Sequence, residues 1–486
     1  MTADGNAAKT YKWTWTGDVD KTTFAVGKNG TAITNQLTEG DYAMDYNAFE
    51  PGTVTYLSRA DWNGTFPKTY SGLTANATVS RLLNNDLYTL KTDDDVSDLI
   101  FGDTTSTLTI NDMKNAPYDD PRWEELVNKV TVAEFLDFSA NAFHNIQGIA
   151  SVNMPQKAAD DGPGGSDSHY LNEGGYQGVP YADAADYTSG TRVAPSPVNL
   201  AYAWNKELAF ENGEIILGES TLVLDLPIMI GPGMNIHRHA YNARGVEYYS
   251  EDPILSGYIG SAVVQGAQSK GTLVNIKHMG FNDQEHNRAG ISAYMTEQKF
   301  RETDLRGFEG ALSDAFGMGV MIAFNRIGAT NADHHVGMIQ KIVRGEWGFK
   351  GLISTDMMNN YLYFNAESMV MAGITQVADF AADTSHINLG EGGVDAVWPH
   401  ISLETVSKDS NLVEQARENL KYQLYIFANS AILNISTQRV NTWWDTALTV
   451  TTYASSILAV LFFLAWVVLT LLPEKKPVVV RVENKR

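Results

Sequence analysis

Short apolar runs alternate with amphipathic stretches of helical length between about residues 121 and 435 of this chain. Such runs predict buried parallel strands, and amphipathic stretches predict the helices that cover them. The predicted strands are 221–225, 228–230, 273–276, 319–323 and 351–354. The predicted helices are 124–139, 200–217, 257–270, 297–314, 335–347 and 412–434. This alternation indicates an α/β fold on a parallel sheet, and its length favours closure into a (β/α)8 TIM-like barrel over residues 121–435.

The first 120 residues have a different texture. They are rich in Thr, Tyr, Gly and Asn, with short alternating runs at 12–16 and 53–57. This pattern is typical of short strands and turns that do not build a core of their own. Residues 1–120 are therefore predicted to form an irregular, β-rich connector.

The carboxyl-terminal region predicts a membrane anchor. Residues 446–473 contain no charged side chain, and their core matches the roughly 20 apolar residues that a transmembrane helix needs. Trp443 and Trp444 flank one end, and residues 474–486 form a basic tail. The positive-inside rule then predicts a single-pass protein of the cell membrane, with a cytoplasmic tail and an extracellular catalytic region. A buried core helix is the alternative. The first residues show no signal-peptide pattern, so export is expected to depend on a segment upstream.

Composition excludes some classes of partner and chemistry. The net charge is -22 and the chain has no cysteine. The negative charge would repel phosphate backbones, so we expect no nucleic-acid partner. Disulfides and thiolate chemistry are excluded, no metal-binding spacing is evident, and no cofactor is predicted.

Charged residues follow the predicted strands, at the end where barrel enzymes place their chemistry. Carboxylates accept hydrogen bonds from hydroxyl groups while Arg, Lys and His donate them, so the set suits a hydroxyl-rich ligand. The set consists of Arg244, Glu247, Lys277, His278 and Asp356, joined by Asp161 from the earlier loop 160–165, which is rich in Gly and Pro.

Each of these residues also has a purely structural interpretation. Asp356 could cap a following helix, and Arg244 and Glu247 could pair on the surface. Lys277 and His278 could be a strand end that reaches water. His237 and His239 could share a face as metal ligands, but no third ligand is evident.

The motifs together resemble the barrel domain of glycoside hydrolase family 3, over roughly residues 121–435 and in the family's order. The resemblance rests on Asp161-Gly-Pro, Ala201-Tyr-Ala-Trp-Asn, Gly231-Pro-Gly-Met-Asn-Ile-His-Arg, Arg244-Gly-Val-Glu-Tyr-Tyr-Ser-Glu-Asp-Pro, Lys277-His with Asn282, Glu285 and Arg288, Val320-Met-Ile-Ala-Phe-Asn, and Arg344-Gly-Glu-Trp-Gly-Phe-Lys-Gly through Asp356.

The resemblance implies a retaining β-glycosidase of the β-glucosidase type, whose substrates are oligosaccharides or other β-glycosides. It implies that Asp356 is the nucleophile. The substrate-binding positions are expected to be Asp161, Arg244, Lys277, His278, Met321 and Phe324. Phe324 stands where the family often has a tyrosine, and Met357 where it often has a tryptophan.

The family's second catalytic carboxyl has no counterpart in this sequence. In the glucosidase-like branch it is a glutamate on an α/β sandwich domain after the barrel, whereas here the predicted membrane helix follows. Residues 32–37 and 54–67 resemble the connector of members with reversed domain order, which implies an upstream sandwich domain or a partner chain. The alternative is a catalytically incomplete cell-surface sugar-binding barrel.

Overall fold

The structure is a computed structural model, and it divides into residues 1–435 and residues 436–486. Only part of the chain is described below. The described residues are 25–37, 75–91, 94–97, 99–135, 145–162, 195–223, 226–238, 242–282, 285, 288, 290–357, 365–378, 408–433 and 443–471. The predicted connector strands at 12–16 and 53–57 lie outside them.

The strands of the first unit form two sheets. They are β1 Asn145–Ile146, β2 Lys157–Asp161, β3 Ile228–Gly233, β4 Leu273–Met279, β5 Ser292–Ala293, β6 Gly319–Ile322, β7 Arg326–Ile327, β8 Thr330–Asn331, β9 Leu352–Met357 and β10 Gln376–Ala378. The main sheet has the order β1-β2-β3-β4-β6-β9-β10, and a small sheet has the order β5-β7-β8. From β2 to β10 every neighbouring pair in the main sheet is parallel, and β1 pairs antiparallel with β2.

Helices connect the parallel strands. In chain order they are α1 Ala77–Leu83, α2 Arg122–Lys129, α3 Pro197–Tyr202, α4 Lys206–Asn212, α5 Ser220–Val223, α6 Pro253–Ser269, α7 Glu297–Glu302, α8 Arg306–Glu309, α9 Ala366–Ala372 and α10 Ser410–Ala428. Wider π-helical turns occupy Gly213–Glu219, Gly310–Asp314 and Gly337–Glu346. The α/β fold with a parallel sheet is confirmed. Closure into a (β/α)8 barrel stays a prediction.

Side chains on the two faces of the sheet enter different hydrophobic clusters. Val274 and Ile276 of β4 belong to one cluster and Leu273 to the other. In β9, Ile353 belongs to the cluster of Val274 and Ile276, and Leu352 belongs to the cluster of Leu273. Because side chains alternate along a strand, residues with the parity of Leu273 and Leu352 share one face of the sheet. Asn275 and Ser354 have this parity, and the Asn275 amide donates to the Ser354 hydroxyl at 2.9 Å, so both lie on that face. Lys277 and Asp356 follow two residues later, where the strand register shifts.

Several predicted elements differ from the structure. Helix 124–139 is interrupted after Lys129, and helix 297–314 is interrupted at residues 303–305. Residues 221–223 are helical rather than extended, and residues 224–225 lie outside the described part. The Thr221 hydroxyl donates to the carbonyl oxygens of Leu217 and Gly218, which extends the preceding helical turns. The predicted helix 200–217 is interrupted at Trp204, whose φ is 51°, before Asn205 caps α4.

Close helix packing explains why helical structure continues here. A Cβ on Gly213 would stand 2.0 Å from the carbonyl oxygen of Val263 in α6, and one on Gly266 would stand 2.0 Å from that of Phe210. The two backbones are thus in contact at glycines. This tertiary contact supports the helical segment Gly213–Glu219, which leads directly into the helical residues 221–223.

The second unit contains helix α11, Trp443–Leu471. Within it, residues 450–468 are long and apolar enough to cross a membrane by length and composition. Large apolar side chains along this segment, such as Phe462 and Leu464, are exposed. It is the one helix of the described residues that meets this criterion.

Candidate active site

The predicted site residues come from four parallel strands of the main sheet, the segment just after β6, and one turn. Asp161 ends β2, Lys277 and His278 stand near the end of β4, and Asp356 is the penultimate residue of β9. Met321 lies in β6, and Phe324 follows that strand directly. Arg244 precedes a short 3-10 turn, Gly245–Glu247. Carboxyl ends of parallel strands meet at one edge of a sheet, which is why these distant segments converge.

Lys277 joins two carboxylates. Its Nζ lies 2.5 Å from Asp161 Oδ1 and 3.2 Å from Glu247 Oε1, and the residue is 2% exposed. Glu247 also pairs with Arg244 through both oxygens, at 2.5 Å to Nε and 2.6 Å to Nη2. Arg244 and Glu247 therefore do pair, as the structural interpretation expected, but as part of a network that includes Lys277.

This network keeps its members charged. Burial alone would lower the pKa of Lys277, but Asp161 and Glu247 outweigh burial and the net direction is upward. Burial would raise the pKa of Glu247, but Lys277 and Arg244 hold it below its usual value. Lys277 and Glu247 therefore remain an ion pair at neutral pH.

Glu285 and Arg288 extend the charged cluster. Arg288 Nη1 lies 3.3 Å from Glu285 Oε2, and Arg244 Nε lies 3.8 Å from Glu285 Oε1. The Arg288 guanidinium also stacks over the Phe324 ring at 4.7 Å. No role was predicted for Glu285 and Arg288 beyond their place in a motif. Their position three residues apart in the loop after β4 was the available signal.

Asp356 is the most isolated carboxylate of the set. It is 7% exposed, and its Oδ1 accepts the backbone N–H of Met357 at 2.8 Å. Its Oδ2 has no hydrogen-bond partner among the described residues. His278 Nε2 is 3.5 Å from Oδ2, beyond ordinary hydrogen-bond length. Residues 358–364 lie outside the described part, so capping of a following helix by Asp356 stays untested.

Burial dominates the protonation of Asp356 and His278. Burial raises the pKa of Asp356, and the opposing effects of Arg288, the Met357 N–H, Arg244 and Lys277 are smaller. The nearby cations therefore do not bring the pKa of Asp356 below its usual value. Burial, reinforced by Arg244, Lys277 and Arg288, lowers the pKa of His278 well below its usual value. His278 consequently faces Asp356 as a neutral imidazole.

The side-chain amide of Asn235 holds the His278 backbone in place through two hydrogen bonds. The His278 N–H donates to Asn235 Oδ1 and Asn235 Nδ2 donates to the His278 carbonyl, both at 2.8 Å. The peptide bond between Lys277 and His278 is cis. Asn235 comes from the loop after β3, so neighbouring strand ends fix each other.

Met321 and His237 make packing or backbone contacts and do not join the charged network among the contacts described. Met321 is 4% exposed and belongs to a hydrophobic cluster, with no contact to the charged network among those described. His237 Nε2 lies 3.0 Å from the Tyr248 carbonyl, and His239 is outside the described residues. Within the described ranges, no group of three or more His, Cys, Asp or Glu side chains is arranged to hold a metal ion.

Fixed charges and a buried carboxylate at the carboxyl edge of a parallel sheet define an α/β domain suited to binding a hydroxyl-rich ligand. Comparison with known proteins agrees with this class. Residues 169–375 match the family described as "Glycosyl hydrolase family 3 N terminal domain". This match confirms the resemblance for that region and relates it to glycoside hydrolases acting on O-glycosyl bonds.

Curated relatives include several β-glucosidases. A probable β-glucosidase K of Emericella nidulans is 31% identical over 238 residues, which are 49% of this chain and 26% of that protein. An exo-α-(1→6)-L-arabinopyranosidase of Bifidobacterium breve is 31% identical over 221 residues, 46% of this chain and 28% of that protein. The matched region thus spans about a quarter of the length of these relatives.

Solved structures show the same fold. β-Glucosidase 3B from Thermotoga neapolitana, in complex with α-D-glucose, is 25% identical with a TM-score of 0.56. The match covers 65% of this chain and 44% of that chain. A β-glucosidase from Paenibacillus barengoltzii, 20% identical with a TM-score of 0.55, covers 76% of this chain and supports the fold alone.

Proposed function

We propose that this chain carries the sugar-binding site and the nucleophile of a retaining β-glycosidase of the β-glucosidase type. Its substrates would be oligosaccharides with terminal β-linked sugars. The observation that supports this is the environment of Asp356, a buried carboxylate whose Oδ2 lacks a partner in the described part of the chain. A nucleophile needs an oxygen with an available lone pair, held next to the ligand rather than engaged by a neighbour.

In the proposed reaction, Asp356 Oδ2 attacks the anomeric carbon. The bond between that carbon and the leaving oxygen breaks, and a covalent glycosyl-aspartate forms. Water then attacks the same carbon and releases Asp356, with its proton passing to a second carboxyl group about 5–5.5 Å away, as retaining glycosidases require. Asp161, Arg244, Lys277 and His278 would bind the hydroxyl groups of the sugar.

The second carboxyl group is proposed to come from elsewhere. The carboxylates of Asp161, Glu247 and Glu285 all lie within ion-pair distance of Lys277, Arg244 or Arg288. Lys277 and Arg244 hold the pKa of Glu247 below its usual value, and a carboxylate that stays ionised is a poor general acid. We therefore propose that a glutamate of an upstream α/β sandwich domain, or of a partner chain, protonates the leaving oxygen.

We also propose that the chain is anchored in the cell membrane. Helix α11 and the basic residues after it support a single-pass anchor in the cell membrane, with the catalytic region outside the cell and the carboxyl terminus in the cytoplasm. Substrates would then be extracellular glycosides.

Trapping of the covalent intermediate tests the nucleophile. The full chain, solubilised in detergent, is incubated with 2,4-dinitrophenyl 2-deoxy-2-fluoro-β-glucoside, and peptides are analysed by mass spectrometry. The leaving group is activated enough to depart without acid assistance, so the test does not depend on the second carboxyl group. We expect a fluoroglucosyl adduct on the peptide that contains Asp356.

The control variant is Asp356→Asn, which preserves shape and removes the nucleophilic charge. It should give no adduct.

The alternative function, a sugar-binding barrel without turnover, is favoured by the ion pairing of the other site carboxylates. It would be supported if glucose binds by calorimetry while the wild-type chain forms no adduct at Asp356, and that result would reject the enzyme proposal.

A further inference from the structure

A separate cavity of about 470 Å³ opens at the opposite end of the sheet from Asp356. Gly317 and Gly351, which line it, lie just before β6 and β9 begin. Asp356 lies four residues beyond the start of β9, and a strand rises about 3.3 Å per residue. The cavity, which we call the amino-end cavity, is therefore about 13 Å or more from the candidate active site.

Aromatic rings form much of its wall. Trp347 and Phe349 come from the loop before β9, Tyr422 and Tyr425 from α10, and Phe316 from the loop before β6. Phe316 is 77% exposed, although burial of a phenyl ring is favourable. Planar side chains gathered around a space of this size suit a ligand with a flat or apolar face.

The charged side chains that line the cavity are all cationic. Lys28, Arg344 and Lys350 line the cavity, and no Asp or Glu appears among the described residues that line it. This is unexpected in a chain whose net charge is -22. Lys28 is neutralised by Asp314 at 2.6 Å, which leaves Arg344 and Lys350 as the cations that a ligand would meet. Lys350 lies over the Tyr118 ring at 4.7 Å.

Arg344 is the deepest of these cations. It is 8% exposed, and its Nη1 donates to the carbonyls of Phe349 at 3.0 Å and Gly351 at 2.8 Å. Its Nε and Nη2 have no hydrogen-bond partner in the described part of the chain. The guanidinium stacks 3.7 Å from the centre of the Tyr422 ring.

The pKa of Arg344 reflects the energetic cost of burying its charge. Burial lowers the pKa of Arg344 to about 10, and the opposing effects of Tyr422, Tyr118 and Glu418 are smaller. A buried cation without a paired anion is costly, whereas an anion placed beside it recovers part of the lost solvation. An anionic ligand in the cavity would supply that compensation.

We propose that the amino-end cavity binds a small organic carboxylate. The carboxylate lies beside Arg344 and Lys350, and the body of the ligand stacks on Tyr422, Tyr425 or Trp347. Two sources have this chemistry: an aromatic acid, whose ring stacks on the wall, and a uronic acid, whose sugar face does so. The site is independent of the proposed hydrolysis, which takes place at the other end of the sheet.

Isothermal titration calorimetry on the full chain in detergent tests this proposal, with detergent-only titrations subtracted. One arm compares 4-hydroxybenzoate with 4-hydroxybenzyl alcohol, and the other compares glucuronate with its neutral amide, glucuronamide, both arms with excess glucose present to occupy the candidate active site. We expect at least one acid to bind about tenfold more tightly than its neutral counterpart, which corresponds to about 1.4 kcal/mol. The arm that responds identifies the source.

Two variants locate the binding. Lys350→Met should weaken it at least fivefold, whereas Lys206→Met, which removes an exposed lysine of α4, should not change it. Asp356→Asn should bind the acid like the wild type, so a failure of the proposed enzyme function would not affect this result. Equal binding of acid and neutral counterpart in both arms, or binding unaffected by Lys350→Met, would overturn the proposal.

Discussion

Arg288 has the largest electrostatic influence on Asp356 among the site residues. Its charge is the first of the effects that lower the pKa of Asp356 against burial, ahead of the Met357 N–H, Arg244 and Lys277. Arg288 lies over the Phe324 ring and within 3.3 Å of Glu285. The fraction of ionised Asp356 therefore depends on a residue that has no direct hydrogen bond to it among the contacts described.

The raised pKa of Asp356 predicts an acid limit for activity. Because the ionised form is the nucleophile, kcat/KM should fall as the pH falls through a value above 3.8, the ordinary pKa of Asp. Arg288→Met should move this limit to still higher pH, since it removes the largest effect that favours the ionised form. pH–rate profiles with an activated aryl β-glucoside measure both, with Lys206→Met as the control. A limit that stays in place or moves to lower pH in Arg288→Met would contradict the assignment.

The raised pKa of Asp356 also predicts that the difference in stability between the wild type and Asp356→Asn depends on pH. A carboxyl whose pKa is higher in the folded state binds more protons folded than unfolded, so its contribution to stability falls as the pH rises above 3.8. Asp356→Asn should therefore unfold at a higher temperature than the wild type at pH 7, and the difference should diminish as the pH approaches 3.8. Thermal unfolding at several pH values checks this. A wild type that is more stable than Asp356→Asn at pH 7 would be inconsistent with the raised pKa.

Sequence could identify the site residues only as candidates. Polar residues after apolar runs pointed to Lys277 and Asp356, because strand ends converge in a parallel sheet. Asp161 was taken from a loop rich in Gly and Pro, and the strand that it ends, β2, was not predicted. The net pKa direction could not be predicted, since it depends on how deeply Asp356 is buried relative to how near the cations lie. Likewise, no local pattern indicates that Lys277 bridges two carboxylates.

At the scale of elements, the strands predicted correctly were those built from apolar runs, whereas β2 and β10 were not predicted. β3, β4 and β9 read as apolar runs because almost every residue in them is buried. The helical segments are broken and include π-helical turns, since their geometry follows from contacts between helices. Those contacts depend on glycines such as Gly213, whose close neighbours are distant in sequence.

Gly213→Ala tests the close contact between the Gly213–Glu219 turn and α6. A methyl group 2.0 Å from the Val263 carbonyl oxygen forces the backbones apart, and overpacking of this kind costs about 1–3 kcal/mol. We expect a lower midpoint of thermal unfolding, followed by intrinsic fluorescence. Gly290→Ala is the matched control, since a Cβ there meets nothing within 4 Å. Equal midpoints in the two variants would argue against the contact.

At the scale of the whole molecule, several contacts tie residues 25–37 to the domain, among them the Lys28–Asp314 ion pair and the hydrogen bonds to the Glu297 carboxylate. Glu297 accepts the backbone N–H of Gln36 at 2.8 Å and that of Leu37 at 2.7 Å. Arg301 pairs with both Glu297 and Glu346, so α7 and the π-helix hold the segment together. Sequence did not predict this attachment, because it joins positions about 260 residues apart.

The proposed membrane anchor predicts how the chain partitions. In cells, the full chain should remain in the membrane fraction after an alkaline carbonate wash. Leu461→Arg should reduce that retention, because a charge at the centre of a spanning helix costs about 2.5–3.5 kcal/mol. Leu461→Ala keeps the position apolar and should be retained. Release of the wild-type chain by the wash would reject the anchor.

The bridge between Lys277, Asp161 and Glu247 has a consequence for ligand exchange. One ammonium group has two counter-ions here, so either carboxylate can turn to an incoming hydroxyl group while the other continues to neutralise the lysine. Asp161, whose side chain is 33% exposed, is the more accessible of the two, since that of Glu247 is 15% exposed. Entry and departure of a ligand can therefore proceed without ever leaving a bare cation inside the protein.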